Sequence, residues 1–322
     1  MTNMTIVQAV NSALENELEK DKRVMILGED VGVNGGVFRA TDGLQQKFGA
    51  NRVIDTPLSE LGIIGTSIGL AVNGMKPVAE IQFSGFMYAA FDQLYSHAAR
   101  IRTRSRGRFS APLVVRTPFG AGIRALDLHC ESGEAIFAQT TGIKVVIPSH
   151  PYDAKGLLIS AIRDPDPVVF YEPMRVYRAI KEEVPDKEYT VPLGKAEVEQ
   201  EGSDLTVISY GAMLKYTKQA LEKSDYSAEI IDVRTIVPLD RETIINSVQK
   251  TGRCVIVHEA PKTCGFAAEI IAIINEKCFF SLEAPIARVT GLDTAIPFAK
   301  LENYYLPSEK RILKAVNKVM GS

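Results

Sequence analysis

DTPLSELGIIGTSIGLAVNGMKPVAEIQ, residues 55–82, is the stretch on which the fold turns. Glu60 stands at the mouth of a helix built largely of small residues, and Gly62, Gly65 and Gly69 interrupt it. Glycine in a helix interior costs about 1 kcal/mol relative to alanine. Three of them predict close approach of another backbone or of a ligand. The helix leads into a buried-looking strand, residues 77–83, which carries a second acid, Glu80. A carboxylate between a glycine-rich helix and a strand end is where an α/β protein tends to hold its chemistry.

On either side of this stretch, strand and helix signals alternate. Thr5 can cap a helix through about Glu19, with Val7, Val10, Leu14 and Leu18 on one face. Residues 24–30 (VMILGED) read as a short apolar strand ending in acids, 33–38 as a glycine loop and 41–49 as a capped helix. Residues 52–55, 112–117, 144–148 and 167–171 read as strands, and 86–99, 132–139 and 154–162 as helices. A boundary falls near 180–193 (IKEEVPDKEYTVPL), which is charged, holds two prolines and lacks helical periodicity. Beyond it LTVISY, AEIIDV, CVIVHEA and APIARVTG read as four strands, with helices over 212–223, 241–250, 266–276 and 308–320. Ser308 suits an N-cap. The expectation is two successive α/β domains, 1–185 and 186–322, each a parallel sheet with helices on both faces.

Composition narrows the classes. The chain has 322 residues, of which 46% are hydrophobic and 24% charged, ample for two sizeable cores. A net charge of −2 implies no global attraction to nucleic acid or an anionic membrane. No apolar run approaches the roughly 20 residues of a spanning helix, and the first residues do not read as a signal peptide. Cys130, Cys254, Cys264 and Cys278 form no CxxC pair and no metal-ligand spacing, which fits reduced thiols in a cytoplasmic protein.

Two candidate residues carry chemistry. Glu60 either complements the helix dipole or offers a carboxylate to a ligand on the glycine face. Helix amides favour its ionised form, and apolar neighbours such as Leu58 and Leu61 favour the protonated one. His129 lies in RALDLHCESGE, past the FGAGI loop and flanked by Asp127, Glu131 and Glu134, as a solvated loop residue or an acid/base group. Cys130 beside it is a poor partner, because adjacent side chains rarely face each other. Five arginines between Arg100 and Arg108 lack interleaved aromatics, so a subunit contact or solvated loop is expected rather than a nucleic-acid site. GxxxxGK[ST], GxGxxG and GDG segments are all missing, so no obvious motif anchors a diphosphate or its metal.

LGEDVGVNGGVF, IDTPLSELGIIGTSIGLAVNGMKPVAEIQF, GIKVVIPSHPYDAKGLL with PVVFYEP, IDVRTIVPLD and VHEA follow in this order. With them the whole chain resembles the β subunit of the thiamine-diphosphate-dependent 2-oxoacid dehydrogenases. These are the decarboxylating first components of the pyruvate, branched-chain 2-oxoacid and acetoin complexes. The resemblance implies a transketolase-like pyrimidine-binding domain followed by a transketolase C-terminal domain. It implies an α₂β₂ heterotetramer in which thiamine diphosphate is shared with an α subunit that also binds the Mg²⁺, which fits the missing diphosphate motif. Glu60 matches the glutamate that hydrogen-bonds the pyrimidine N1′ and promotes the tautomer that takes the thiazolium proton. Leu58, Gln82 and Phe86 match positions lining the pyrimidine pocket, and His129 matches a loop histidine near the substrate and the incoming lipoyl group. Phe86 resembles the pyruvate-type enzymes and Gln82 the branched-chain type, which leaves the 2-oxoacid open. The implied reaction passes the acyl group to lipoyl-lysine of a dihydrolipoyl acyltransferase, with the C-terminal domain as its docking surface. The arginine run departs from the family pattern. The alternatives are an acetoin dehydrogenase β subunit and, outside enzymes, a non-catalytic α/β scaffold.

Overall fold

A computed structural model describes residues 1–322. The chain opens with β1 (Thr2–Met4) and α1 (Ile6–Lys20). Thr5 caps α1 as its sequence position predicts: its hydroxyl accepts the Gln8 N–H at 3.4 Å while the Gln8 side chain accepts the Thr5 N–H at 2.9 Å. Next come β2 (Val24–Gly28), α2 (Leu44–Phe48), β3 (Val53–Asp55), α3 (Glu60–Val72) and β4 (Lys76–Glu80). Residues 86–99, expected as one helix, are instead a 3₁₀ segment (Ser84–Ala90), a π turn (Gln93–His97) and a further 3₁₀ turn before α4 (Ile101–Arg104). The start is locked where the Gly85 N–H donates to Leu128 O at 3.0 Å, a contact tight enough that an added Cβ would stand 2.2 Å from that oxygen.

The first half continues through β5 (Val114–Phe119), α5 (Glu134–Ala138), β6 (Lys144–Val146), α6 (Pro151–Arg163), β7 (Val168–Pro173) and β8 (Glu182–Val184). The second holds β9 (Glu197–Gln200), β10 (Leu205–Ser209), α7 (Ala212–Leu221), β11 (Ala228–Asp232), β12 (Thr235–Val237), α8 (Arg241–Thr251) and β13 (Cys254–Val257). It closes with α9 (Ala267–Cys278), β14 (Ala287–Val289), α10 (Glu302–Tyr305) and α11 (Glu309–Met320). Ser308 caps α11 by accepting the Arg311 N–H at 3.3 Å.

Two sheets carry the fold. The larger runs β12-β6-β7-β5-β4-β2-β3 and the smaller β14-β13-β10-β11-β9. β2, β5 and β7 are buried along their whole length, as parallel strands covered on both faces must be. Three features lie outside the alternation of strand and helix. β9 adds an antiparallel edge to the smaller sheet. β8, inside the expected linker, pairs antiparallel with β1. β12, from the second half, pairs antiparallel with β6 and completes the larger sheet. Buried residues of both halves also merge into shared cores, with Val207 and Ile230 packed in the same cluster as Leu14 and Val168. No helix is long and apolar enough to cross a membrane.

Candidate functional site

In the larger sheet β2 lies between β3 on one side and β4 on the other, so the chain reverses its direction of strand addition there. Loops leaving the carboxyl ends of strands at such a reversal diverge and open a crevice, the usual ligand position in an open α/β sheet. Four loops of this chain arrive at that edge. After β2 come Glu29 and the loop of residues 31–38, after β3 comes Glu60, after β4 come Gln82 and Phe86, and after β5 comes the loop that carries His129.

Asp55, the last residue of β3, shapes the first loop. Its carboxylate accepts the N–H of Gly32 at 2.6 Å and of Val33 at 3.2 Å. Glu60 is the first residue of α3, whose end is capped by the Ser59 hydroxyl accepting the Gly62 N–H at 3.2 Å. Beside it Leu58 is 79% exposed and Leu61 50% exposed. Of the α3 glycines, an added Cβ at Gly65 would lie 3.4 Å from the Gln93 side chain, while nothing in the chain lies within 4 Å of one at Gly69. The close approach expected at these glycines is therefore met inside the chain only in part. Glu29, which the sequence reading passed over, is half-buried; burial first, and then the negative charges of Glu60 and Asp30, hold its carboxyl above the usual range.

His129 packs its ring on Phe83 and Phe86, with centroids 4.4 and 5.1 Å away. Its Nδ1 donates to Asp127 O at 3.1 Å. A carbonyl can only accept, so this bond puts the proton of a neutral ring on Nδ1 and leaves Nε2 as the available nitrogen. Thus Phe86 and His129 meet in one aromatic cluster, with Gln82 next to Phe83 in sequence. Leu128 adopts φ +63°, and the loop is tied at several points. Ser84 Oγ donates to Glu131 O at 2.7 Å, Ala121 N–H to Glu259 at 3.1 Å and Arg124 N–H to Glu302 at 2.9 Å. Glu259 and Glu302 belong to the second half of the chain, so both halves hold the His129 loop. Burial pushes the Glu259 carboxyl up to about 8 and that of Glu134, at the end of the same loop, up to about 7. Cys130 is buried, and its thiol is pushed up to about 11 chiefly by burial, so it is not a poised nucleophile.

Glu80 has a different setting. It is buried, and Arg116 Nη1 donates to it at 2.7 Å. The same guanidinium donates to Glu172 from Nε at 2.6 Å and from Nη2 at 2.9 Å, and the Tyr177 hydroxyl donates to Glu172 as well. Burial works against both Glu80 and Arg116 in their charged forms. Two flanking carboxylates more than restore the charge of Arg116, whereas Glu80 stays above the usual carboxylate range. Gly36, at φ +78°, packs against this acid; an added Cβ would stand 2.9 Å from Glu80 Oε1. Glu80 thus lies beneath the β2 loop with Arg116 as its polar partner. The arginine run has local partners: Arg102 pairs with Asp166 at 2.6 Å and Arg100 lies over Tyr95.

Comparison with known proteins identifies the domains and the family. The family described as transketolase, pyrimidine binding domain, matches residues 2–179, and transketolase, C-terminal domain, matches residues 194–312. A solved structure titled split gene transketolase, inactive beta4 tetramer, superposes with a TM-score of 0.80 over 99% of each chain at 20% identity, a likeness of fold. Among curated relatives, the pyruvate dehydrogenase E1 component subunit beta of Bacillus subtilis (strain 168) is 54% identical over 99% of both chains. The protein of that name from Staphylococcus epidermidis is 54% identical over 98% of both, and that from Acholeplasma laidlawii 50% identical over 99% of this chain and 98% of the relative. The chain belongs to the β-subunit family of the thiamine-diphosphate-dependent 2-oxoacid dehydrogenases.

Proposed function

We propose that this chain is the β half of a pyruvate-oxidising first component, and that Glu60 is its carboxylate toward the pyrimidine of thiamine diphosphate. One observation carries the reading: at the strand-order reversal, Glu60 stands at a helix start with Leu58 79% exposed beside it, an acid and an apolar wall without an opposing wall from this chain. An aminopyrimidine needs a hydrogen-bonding acid for its ring nitrogen and apolar surface for its faces. Glu60, Leu58, Gln82 and Phe86 supply both, so the residues fit half of such a site. In this reading the diphosphate and its Mg²⁺ are held by an α subunit in an α₂β₂ assembly, which accords with a chain that carries no GDG segment.

Thiamine diphosphate, when bound, supplies the carbon nucleophile and the electron sink for decarboxylating a 2-oxoacid. Glu60 would hold or share a proton at the pyrimidine nitrogen, with Glu29 in the same electrostatic field. His129, with Nδ1 fixed on Asp127 O, presents Nε2 as the group that moves a proton when the acyl unit passes to the lipoyl-lysine of an acyltransferase. The Phe83–Phe86 face orients that ring and shields one side of it.

The test is reconstitution with the α subunit and assay with pyruvate, branched 2-oxoacids and acetoin. Pyruvate should give the highest kcat/KM. Glu60→Gln should leave assembly intact and lower turnover by about 10² or more. Wild-type turnover in that variant would remove Glu60 from the chemistry, and a preference for acetoin would move the chain to that branch of the family.

A further inference from the structure

Another group of ionisable side chains lies where the two halves of the chain meet. His150 is the cap residue of α6, Glu199 stands on β9 and Asp232 ends β11. His150 Nε2 lies 2.9 Å from Glu199 Oε1 and 4.0 Å from Asp232 Oδ2, and one donor atom from each of the three residues falls within 4.8 Å of the others. Asp232 is 0% exposed. Its Oδ1 accepts the Arg234 N–H at 3.3 Å, but its Oδ2, on the side of the imidazole, has no hydrogen-bond partner. A buried carboxylate oxygen left without a donor is costly, and native structures rarely keep one without a ligand to meet it.

The surrounding charge is in anionic excess. Asp153 Oδ2 lies 3.9 Å from His150 Nε2, and Glu182 Oε1 lies 3.4 Å from Nδ1. Arg234 is shared between Asp153 and Glu197, both at 3.2 Å, and Lys218 Nζ donates to Glu199 Oε2 at 2.8 Å. Five carboxylates therefore face two permanent cations and the imidazole, whose charged form burial opposes and these carboxylates favour. These cations also orient the donors: Lys218 holds one oxygen of Glu199 and leaves the other toward His150, while the Arg234 backbone does the same for Asp232. Ligand atoms about 2.1 Å from a common metal stand roughly 3.0–3.4 Å apart; the 2.9 and 4.0 Å separations lie near that range, and the Glu199–Asp232 pair, within 4.8 Å, closes onto the ion by side-chain rotation. A cleft of about 450 Å³, lined in part by His150, Glu182, Glu199 and Lys218, opens beside the group and offers an entry path.

We propose that His150, Glu199 and Asp232 form a site for a divalent transition cation that clips the two halves of the chain together. One imidazole and two carboxylates suit Zn²⁺ better than Mg²⁺ or Ca²⁺, which prefer oxygen alone. The site stands apart from the Glu60 face and does not depend on its chemistry.

The full-length chain, stripped with a chelator and dialysed, is titrated with Zn²⁺ by calorimetry, with Mg²⁺ as the control. One Zn²⁺ per chain should bind, with little response to Mg²⁺, and Tm should climb with Zn²⁺ concentration, as ligand binding to the native state requires. His150→Ala should weaken Zn²⁺ binding at least about tenfold and abolish the Tm rise. Glu199→Gln, on an edge strand, should do the same and serves if His150→Ala does not fold. Absence of stoichiometric Zn²⁺ binding, equal binding of Mg²⁺, or an unchanged Zn²⁺ affinity in Glu199→Gln overturns the site.

Discussion

Replacing Arg116 by methionine separates the structural acid of the larger sheet from the proposed catalytic one. The Arg116 side chain is 1% exposed and is the shared donor to Glu80 at 2.7 Å and to Glu172 at 2.6 and 2.9 Å. Arg116→Met leaves two buried carboxylates facing each other without a counter-charge, and removing one partner of a buried ion pair costs about 3–5 kcal/mol. Glu80→Gln is milder: the amide oxygen still accepts from Nη1, one of two buried anions disappears, and the loss is the difference between a charged and a neutral hydrogen bond, about 1 kcal/mol. Unfolding entropy of about 2.1 cal/mol/K per residue over the chain converts these to Tm losses of about 4–7 °C and about 1.5 °C. Calorimetry of both variants gives the ranking. Turnover of the reconstituted complex adds the second half, since Glu80→Gln should keep most of it while Glu60→Gln loses about 10². An Arg116→Met chain within about 1 °C of wild type, or a Glu80→Gln complex as inactive as Glu60→Gln, would refute the assignment of Glu80 to structure.

Other measurements address the rest of the molecule. Glu134 and Glu259 are held up to about 7 and about 8 by burial, so between the ordinary carboxylate range and those values the folded chain binds protons that the unfolded chain has released. Their effect is to lower stability as pH rises from about 5 through about 8; Glu259→Gln should flatten that slope, and a wild-type slope in this variant contradicts it. Gly69→Ala has open space for its methyl, so the isolated chain should gain up to about 1 kcal/mol in chemical denaturation. Gly69 is where the close approach expected of these glycines finds no neighbour inside the chain, so the added methyl should weaken assembly with the α subunit; sedimentation of mixed chains reads it. His129→Ala should depress acyl transfer to a lipoyl domain more than decarboxylation assayed with an artificial acceptor, and equal losses would remove the lipoyl role.

Much of the fold is legible in the sequence because parallel strands buried on both faces are written as unbroken apolar runs. VMILG and CVIV could hardly be anything else, and Thr5 and Ser308 mark their helix starts with the residue type that capping needs. The misses share a cause. β8, β9 and β12 are three- or four-residue segments whose partners lie far along the chain, and no local pattern encodes such pairing. The helix expected over 86–99 breaks because Gly85 and its neighbours answer to Leu128, a tertiary contact more than 40 residues away. At the candidate site, Glu60 is visible through the glycines that follow it and His129 through the acids that flank it in a loop. Glu29, Glu259 and Glu302 are not, because an ordinary glutamate acquires a special environment only when distant segments bury it.

The pairing of β12 with β6 has a consequence for how the protein is made. Val145 and Val146 leave the ribosome roughly ninety residues before Thr235 and Val237, the strand that covers them. At about 5–20 residues per second, that interval lasts roughly 5–20 s. Throughout it the first domain carries a bare apolar strand edge, the kind of surface on which nascent chains stick to one another. Chaperone engagement of this protein during synthesis should therefore peak after the first domain has emerged and fall once residue 237 is out; ribosome-associated chaperone profiling would locate that window.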